Sequence, residues 1–374
     1  MGTCSSTQTP AYVETPDPAA TRSQRSMAEF IQSENNPNRS RAPTSLTKTS
    51  FTNSLVHSGS IRFDDVHRDD YKEMLAMYSQ FWVVPEDVER TRAIPSNYMK
   101  TEMGHCDATA VFLKSLDLKR SPAEIEKSRK ALLSEIRSMA RIDHPHIVSF
   151  IGFNITPEFG LSCIFEFMEG RTLRHLLDNL KQFARLTWAN EKINIACDIA
   201  SAMAYMHGLK PQLLHRNMKA SKVLLTNRKQ AKLSGFGSSR DRTFDCDMTT
   251  GVTGVTDIQW SAPELFIDGE DYDEKVDVYS FGVLLTELDT GAMPYAVEAA
   301  GMTLPDLTVK LVTGELRPSV SATCPEVVAK IIKQCLQHDK ALRPTSDRVL
   351  EMLQHARVEL KAERDARLGL DTLP

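Results

Sequence analysis

The stretch His215-Arg216-Asn217-Met218-Lys219-Ala220-Ser221-Lys222, followed a dozen residues on by Ser234-Gly235-Phe236-Gly237, decides the reading of this 374-residue chain. The first segment holds one amide and two lysines but no carboxylate. The second sets a phenylalanine between two glycines. Magnesium needs hard oxygen ligands, which neither Lys222 nor Gly235 supplies. The Asn217 amide has the shape of an aspartate, yet it cannot accept a hydroxyl proton as a carboxylate does.

Working outward, the same chain carries Val111-Phe112-Leu113-Lys114, then Ser134-Glu135-Ile136 on a charged, leucine-rich helical stretch, then His144-Pro145-His146-Ile147-Val148 and Ile151-Gly152. Further on come Trp260-Ser261-Ala262-Pro263-Glu264, Asp277-Val278-Tyr279-Ser280-Phe281-Gly282 and Leu342-Arg343-Pro344-Thr345. In order and spacing these motifs resemble the protein kinase superfamily, over roughly residues 85 to 355. The His144 and Ile151 segments resemble its tyrosine-kinase-like serine/threonine group. The family writes its catalytic loop H-R-D-L-x-x-x-N, its metal turn D-F-G, its third strand V-A-I-K and its segment end A-P-E. Against that pattern Asn217 stands for the catalytic base, Lys222 for a metal-binding Asn and Gly235 for the metal-binding Asp. The resemblance therefore implies an α+β, two-lobed fold, with a small β-rich N-lobe and a large helical C-lobe, and a pseudokinase member of the family.

The phosphate and nucleotide positions follow from the same resemblance. Kinase catalysis is positioning plus electrostatic stabilisation of the transferring phosphate. A glycine-rich loop should precede Lys114, but Pro95 to His105 contains only Gly104, placed where the turn into the third strand is expected. Bulky Tyr98 and Met99 keep backbone from approaching a triphosphate as glycine would. Phe112 stands where a small alanine lies over the purine. Strand alternation puts it on the face of Lys114, so its ring is expected to fill the slot. Phe165 is the expected gatekeeper, Glu166 and Met168 follow at the hinge, and Leu224 lies beneath the purine. Lys114 and Glu135 are expected to keep their ion pair, and Glu264 to pair with Arg343. His215, Phe236 and Met139 match the apolar spine between lobes. Lys219, which would contact the γ-phosphate in a working enzyme, is expected to be structural. ATP binding is therefore expected to be weak or absent, with no metal or other cofactor.

Composition bounds the rest. A net charge of −4 is too small to suggest nucleic acid as partner. The seven dispersed cysteines (Cys4, Cys106, Cys163, Cys197, Cys246, Cys324, Cys335) contain no C-x-x-C pair, which argues for a reduced, intracellular protein without a zinc site. No run of eighteen apolar residues is present, and the N-terminus lacks an apolar signal region. Met1-Gly2-Thr3-Cys4-Ser5-Ser6 fits the N-myristoylation pattern. One acyl chain anchors only marginally, and the first sixty residues carry five Lys/Arg against four acidic residues, too few for a basic patch. Palmitoylation of Cys4 is the expected second signal.

The organisation expected is a Ser/Thr-rich tether over 1–60, a linker with a short helix over 61–84, the N-lobe over 85–168, the C-lobe over 169–358 and a tail over 359–374. Within 61–84 the apolar Met74, Leu75, Met77 and Tyr78 mark the helix. Lys361 to Arg367 is expected to fray into solvent. The segment from Ser238 to Ser261 offers Ser238, Ser239, Thr243, Thr249, Thr250, Thr253 and Thr256 as phospho-acceptors, with Arg216 able to receive a phosphate.

The function expected is a catalytically inactive scaffold or allosteric partner at the cytoplasmic face of the plasma membrane. Its expected partners are an active kinase, a receptor tail or a second copy of itself. Two alternatives stay open. An unconventional kinase would need a carboxylate from elsewhere, such as Asp241, Asp245 or Asp247. A metal-independent nucleotide switch would use Lys114 and Lys222.

Overall fold

Two hairpins start the N-terminal sheet. Strands β1 (Val88–Ile94), β2 (Lys100–Cys106) and β3 (Thr109–Ser115) run antiparallel. The β2–β3 turn is only Asp107 and Ala108, both at positive φ (47° and 67°), the backbone a two-residue hairpin turn requires. Strands β4 (Phe150–Thr156) and β5 (Gly160–Glu166) complete a five-stranded sheet in the order β1-β2-β3-β5-β4. The computed structural model describes residues 69–241, 255–267 and 272–369. Gly2, Cys4 and the 1–60 tether lie outside these residues, as do Thr243, Asp245, Asp247, Thr249, Thr250 and Thr253.

Gly104 does not mark the turn into β3. It lies within β2, because a Cβ there would collide with the Glu89 carbonyl of β1 and the Leu113 side chain of β3. Close strand approach, rather than turn geometry, demands the glycine.

Helix α1 (Asp69–Tyr78) buries Tyr71, Met74 and Leu75 in the main core, and Trp82 beyond it packs edge-on against Phe153 of β4. The packed lobe thus begins before residue 85, since these side chains belong to its core rather than to a linker. Helix α2 (Pro122–Met139) opens on a capping box: Ser121 Oγ accepts from the Glu124 amide, and the Glu124 carboxylate accepts from the Ser121 amide. It packs on β5 and on the short turn Phe236–Ser238.

The C-terminal part is helical. Helices α3 (Leu173–Asp178), α4 (Leu180–Phe183) and α5 (Glu191–Gly208) precede the small pairings β6 (Leu213–Leu214) with β9 (Arg240–Asp241), and β7 (Val223–Leu225) with β8 (Ala231–Leu233). In α6 (Lys275–Thr290) every residue from Val276 to Asp289 is buried, the charged Asp277, Glu287 and Asp289 included. Helices α7 (Leu304–Val312), α8 (Glu326–Cys335) and α9 (Ser346–Arg367) follow, α8 against α6 and α9 along α5.

The last helix does not fray at Lys361. It runs to Arg367, past the boundary expected at 359, because Leu360 is buried and Arg364 reaches the Ala189 carbonyl.

Inside this region Arg343 is fully buried and clamps Glu264 with two bonds of 2.6 and 2.9 Å, while also donating to the carbonyls of Gln337, Lys275 and His338. This bidentate pair ties the segment end to the helical core.

Candidate functional site

Two buried carboxylates of α6 build the loop that follows β6. Asp277 accepts the backbone N–H groups of His215 and Arg216, each at 2.7 Å. Burial pushes the Asp277 pKa up, but the hydrogen bond and charge of His207, then His215, outweigh it and leave the pKa lowered. Ten residues further along the same helix, nearly three turns, Glu287 accepts from the Ala220 amide at 3.0 Å and the Trp260 indole at 2.7 Å. The loop is therefore held at both ends by main-chain donors. Arg216 adopts φ +62°, a left-handed conformation made tolerable by this clamp.

His215 is buried edge-on to Phe236, with ring centroids 4.9 Å apart, and burial pushes its pKa down, favouring the neutral ring. Phe236 and Met139 are buried in the same core cluster. Lys114 of β3 and Glu135 of α2 form a 2.6 Å ion pair with the carboxylate almost fully enclosed.

The metal positions hold no oxygen ligands. Gly235 sits at φ +87°, and a Cβ built on it would lie 2.8 Å from Lys222 Cδ and 3.4 Å from Lys222 Nζ. The lysine stem therefore occupies the space an aspartate side chain would need. Burial first, then repulsion by Lys114 and Lys219, pushes the Lys222 pKa down to about 8. These residues do not fit a divalent cation, which would meet an ammonium instead of oxygen.

Asn217 and Lys219 converge on a carboxylate that sequence reasoning overlooked. Asp257 Oδ2 accepts from Asn217 Nδ2 at 3.3 Å, and Asp257 Oδ1 is ion-paired with Lys219 Nζ. Asn217 Oδ1 is buried with no hydrogen-bond partner among the described residues. Of the carboxylates proposed from sequence, Asp241 lies in β9. Asp245 and Asp247 lie outside the described residues, and the carboxylate described at this position is Asp257, three residues before the anchored Trp260.

The roof of the cleft is an apolar row. Register pairs Met103 of β2 with Phe112, Phe112 with Phe165 of β5, and Phe165 with Phe150 of β4, so all four share one face. Lys114 lies two residues on, along that face. Phe112 and Leu224 are half-buried and pack against the main core. Phe165 is buried, its ring 5.5 Å from Phe150. At the hinge, Glu166 pairs with Lys232 at 2.6 Å and accepts from the Ser149 amide at 2.7 Å, while Met168 is buried. In the β1–β2 loop, Pro95 to Met99, Asn97 O accepts from Arg120 and Tyr98 O accepts from Ser128 of α2. Tyr98 is exposed at its tip.

Comparison with known proteins agrees with this geometry. A family model described as protein tyrosine and serine/threonine kinase matches residues 95–353. The chain is 30% identical to serine/threonine-protein kinase STY46 of Arabidopsis thaliana, over 68% of this chain and 41% of that one. It is 31% identical to the Arabidopsis serine/threonine/tyrosine-protein kinase HT1, over 63% of this chain and 58% of that one. A 30% identity to a putative serine/threonine-protein kinase/receptor of Acanthamoeba polyphaga mimivirus spans only 12% of that relative. The chain thus spans less than half the length of several curated relatives it matches.

Proposed function

We propose that this chain, which belongs to the protein kinase family and to its tyrosine-kinase-like group, works as a catalytically inactive scaffold or allosteric partner in phosphorylation signalling. The observation that carries the reading is the mutual filling of the two metal positions, with the Lys222 stem lying where a side chain on Gly235 would go. The apolar row through Phe112 supports it, since a packed core leaves no room for a purine. Its partners are an active kinase, a receptor tail or a second copy. The tether reading places it at the inner face of the plasma membrane through acylated Gly2 and Cys4.

A second reading is favoured by Asp257, a carboxylate set beside Asn217 and Lys219. In a metal-independent phosphotransferase it would take the substrate hydroxyl proton, with Lys222 supplying positive charge in place of a metal.

One experiment separates the two. The full chain and its Phe112→Ala variant are titrated with ATP, with and without Mg²⁺ or Mn²⁺, and followed by thermal unfolding. The inactive reading expects no shift for the native chain and a gained shift in the variant. A metal-dependent shift of the native chain would overturn it. A metal-independent shift, with phosphate transfer to a Ser/Thr peptide that Asp257→Asn abolishes, would establish the second reading.

A further inference from the structure

Three lysines act on one another in the cleft: Lys114 from β3, Lys219 from the loop after β6, and Lys222 from the short turn Ala220–Lys222. Two of them are paired. Lys114 Nζ lies 2.6 Å from the Glu135 carboxylate, and Lys219 is held by Asp257, which also accepts from Asn217. Both nearby carboxylates are thereby taken. Lys222 Nζ makes no hydrogen bond or ion pair among the described residues. Its stem packs beside Gly235, yet the residue is only partly buried and Nζ still meets solvent.

A crowded amine without a counter-ion gives up its proton readily. Burial first, then repulsion by Lys114 and Lys219, outweighs the attraction of Glu135 and Asp257 and pushes the Lys222 pKa down to about 8. His215, the other titratable group acting on it, is itself held toward its neutral form by burial. Near pH 7.5 about a quarter of Lys222 is therefore free amine, against roughly one in a thousand for an ordinary lysine.

A free lysine amine is a nucleophile. The two lysine neighbours make the field at Nζ positive on balance, so a product with negative charge is favoured where an ammonium is repelled. Space is the second constraint, because the Lys222 stem already fills the room beside Gly235. Carbon dioxide satisfies both conditions. It is small and uncharged, and its adduct with an amine is an anion.

We propose that Lys222 is a carbamate-forming site, where dissolved carbon dioxide adds reversibly to Nζ and turns the cation at the metal position into a carboxylate. The Nζ lone pair attacks the carbon and a C–N bond forms. One C=O electron pair moves onto oxygen, and Nζ passes a proton to water. The N-carboxylate then carries one negative charge within the field of Lys114 and Lys219. It also brings carboxylate oxygen beside Gly235, the position where the family pattern writes an aspartate. The reaction needs no nucleotide, so it stands or falls separately from the ATP titration.

The test equilibrates the full chain near pH 7.5 with ¹³C-labelled carbon dioxide and bicarbonate. Carbamates are trapped by O-ethylation with triethyloxonium, and tryptic peptides are read by mass spectrometry. Trapping blocks cleavage at Lys222 and yields a labelled peptide 220–228, while exposed Lys181, in peptide 175–185, serves as reference. Labelling at Lys222 should exceed that at Lys181 by about 50-fold or more, following the difference in free amine. Lys219→Met removes one cation and leaves Asp257 unpaired, so it should cut the Lys222 label about tenfold. If that variant does not fold, the ratio in the native chain decides alone. No label in 220–228, equal labelling of Lys181 and Lys222, or a label undiminished in folded Lys219→Met protein would each overturn the proposal.

Discussion

Replacing Lys222 by Met should make the protein more stable at neutral pH, an unusual outcome for removing a charged residue. An unfolded lysine titrates near its ordinary 10.5, whereas in the fold Lys222 is pushed down to about 8 by burial and by Lys114 and Lys219. Below about pH 8 both states carry the proton, so the fold bears the whole cost of the enclosed ammonium. Between about 8 and 10.5 the folded state releases its proton first, and native stability rises with pH. Above 10.5 neither state is charged and the cost disappears. At about 1.4 kcal/mol per pKa unit the shift corresponds to roughly 3 kcal/mol. Lys222 keeps some contact with solvent, which screens the charge, so about 1–2 kcal/mol is the expected gain. Methionine keeps the unbranched stem that fills the space beside Gly235. Urea unfolding of native and Lys222→Met chains at pH 7 and at pH 10.5 measures this directly. The variant should lead at pH 7, and the difference should vanish at pH 10.5. A variant less stable at pH 7, or a lead unchanged at pH 10.5, would refute the argument and show that the ammonium has a stabilising partner.

Arg343→Met should cost about 3–5 kcal/mol in the same assay, because it strands the Glu264 carboxylate in the core and removes a donor from three carbonyls. Adding Glu264→Gln to that variant should recover part of the loss, a non-additivity that tests the pair itself. Gly2→Ala should move the full chain from the membrane to the soluble fraction of cells; a variant that stays wholly in the membrane fraction would sink the acylation reading.

The fold was legible because its motifs are mechanical parts. Asp277 is readable in sequence as the start of a helix, and in the structure it is the acceptor that bends the chain at His215 and Arg216. Glu264 and Arg343 were expected as a pair on the same grounds and form one. The site was less legible where contacts come from distant chain. Sequence offers Asp241, Asp245 and Asp247 of the activation segment as examples of a replacement carboxylate, and the last two lie outside the described residues. Asp257 approaches from the far end of the segment, where the Trp260 indole is held on Glu287. That anchoring was the available signal, because Trp260 and Glu264 already marked the segment end as rigid. Gly104 misled for another reason. Glycine marks turns more often than strands, and the close approach of Glu89 that requires it belongs to the neighbouring strand. Tyr71 and Trp82 lay in a charged stretch of weak periodicity, so only packing against Phe153 and α2 made them core.

The altered positions are coupled, and this bears on how the site arose. Removing a side chain at 235 alone would leave a void, and voids in packed interiors carry a cost that grows with their volume. Here the Lys222 stem fills that space, so the two substitutions stabilise each other sterically while the charge works against the fold. Asn217 is an amide where the family pattern has a carboxylate, and Asp257 sets a carboxylate within reach of Asn217 and Lys219. Phe112 lies in line with Met103 and Phe165, extending the apolar row instead of interrupting it. Reverting one position would therefore create a conflict. An aspartate at 235 would have to displace the Lys222 stem and adopt φ +87°, which side chains rarely tolerate. A scaffold repacked in this way keeps its clamps on Asp277, Glu287 and Arg343 whether or not it transfers phosphate. Clamps kept on Asp277, Glu287 and Arg343 around a Lys222-filled metal position leave the lobes' shape independent of phosphate transfer, which is the property the proposed protein-binding role would use.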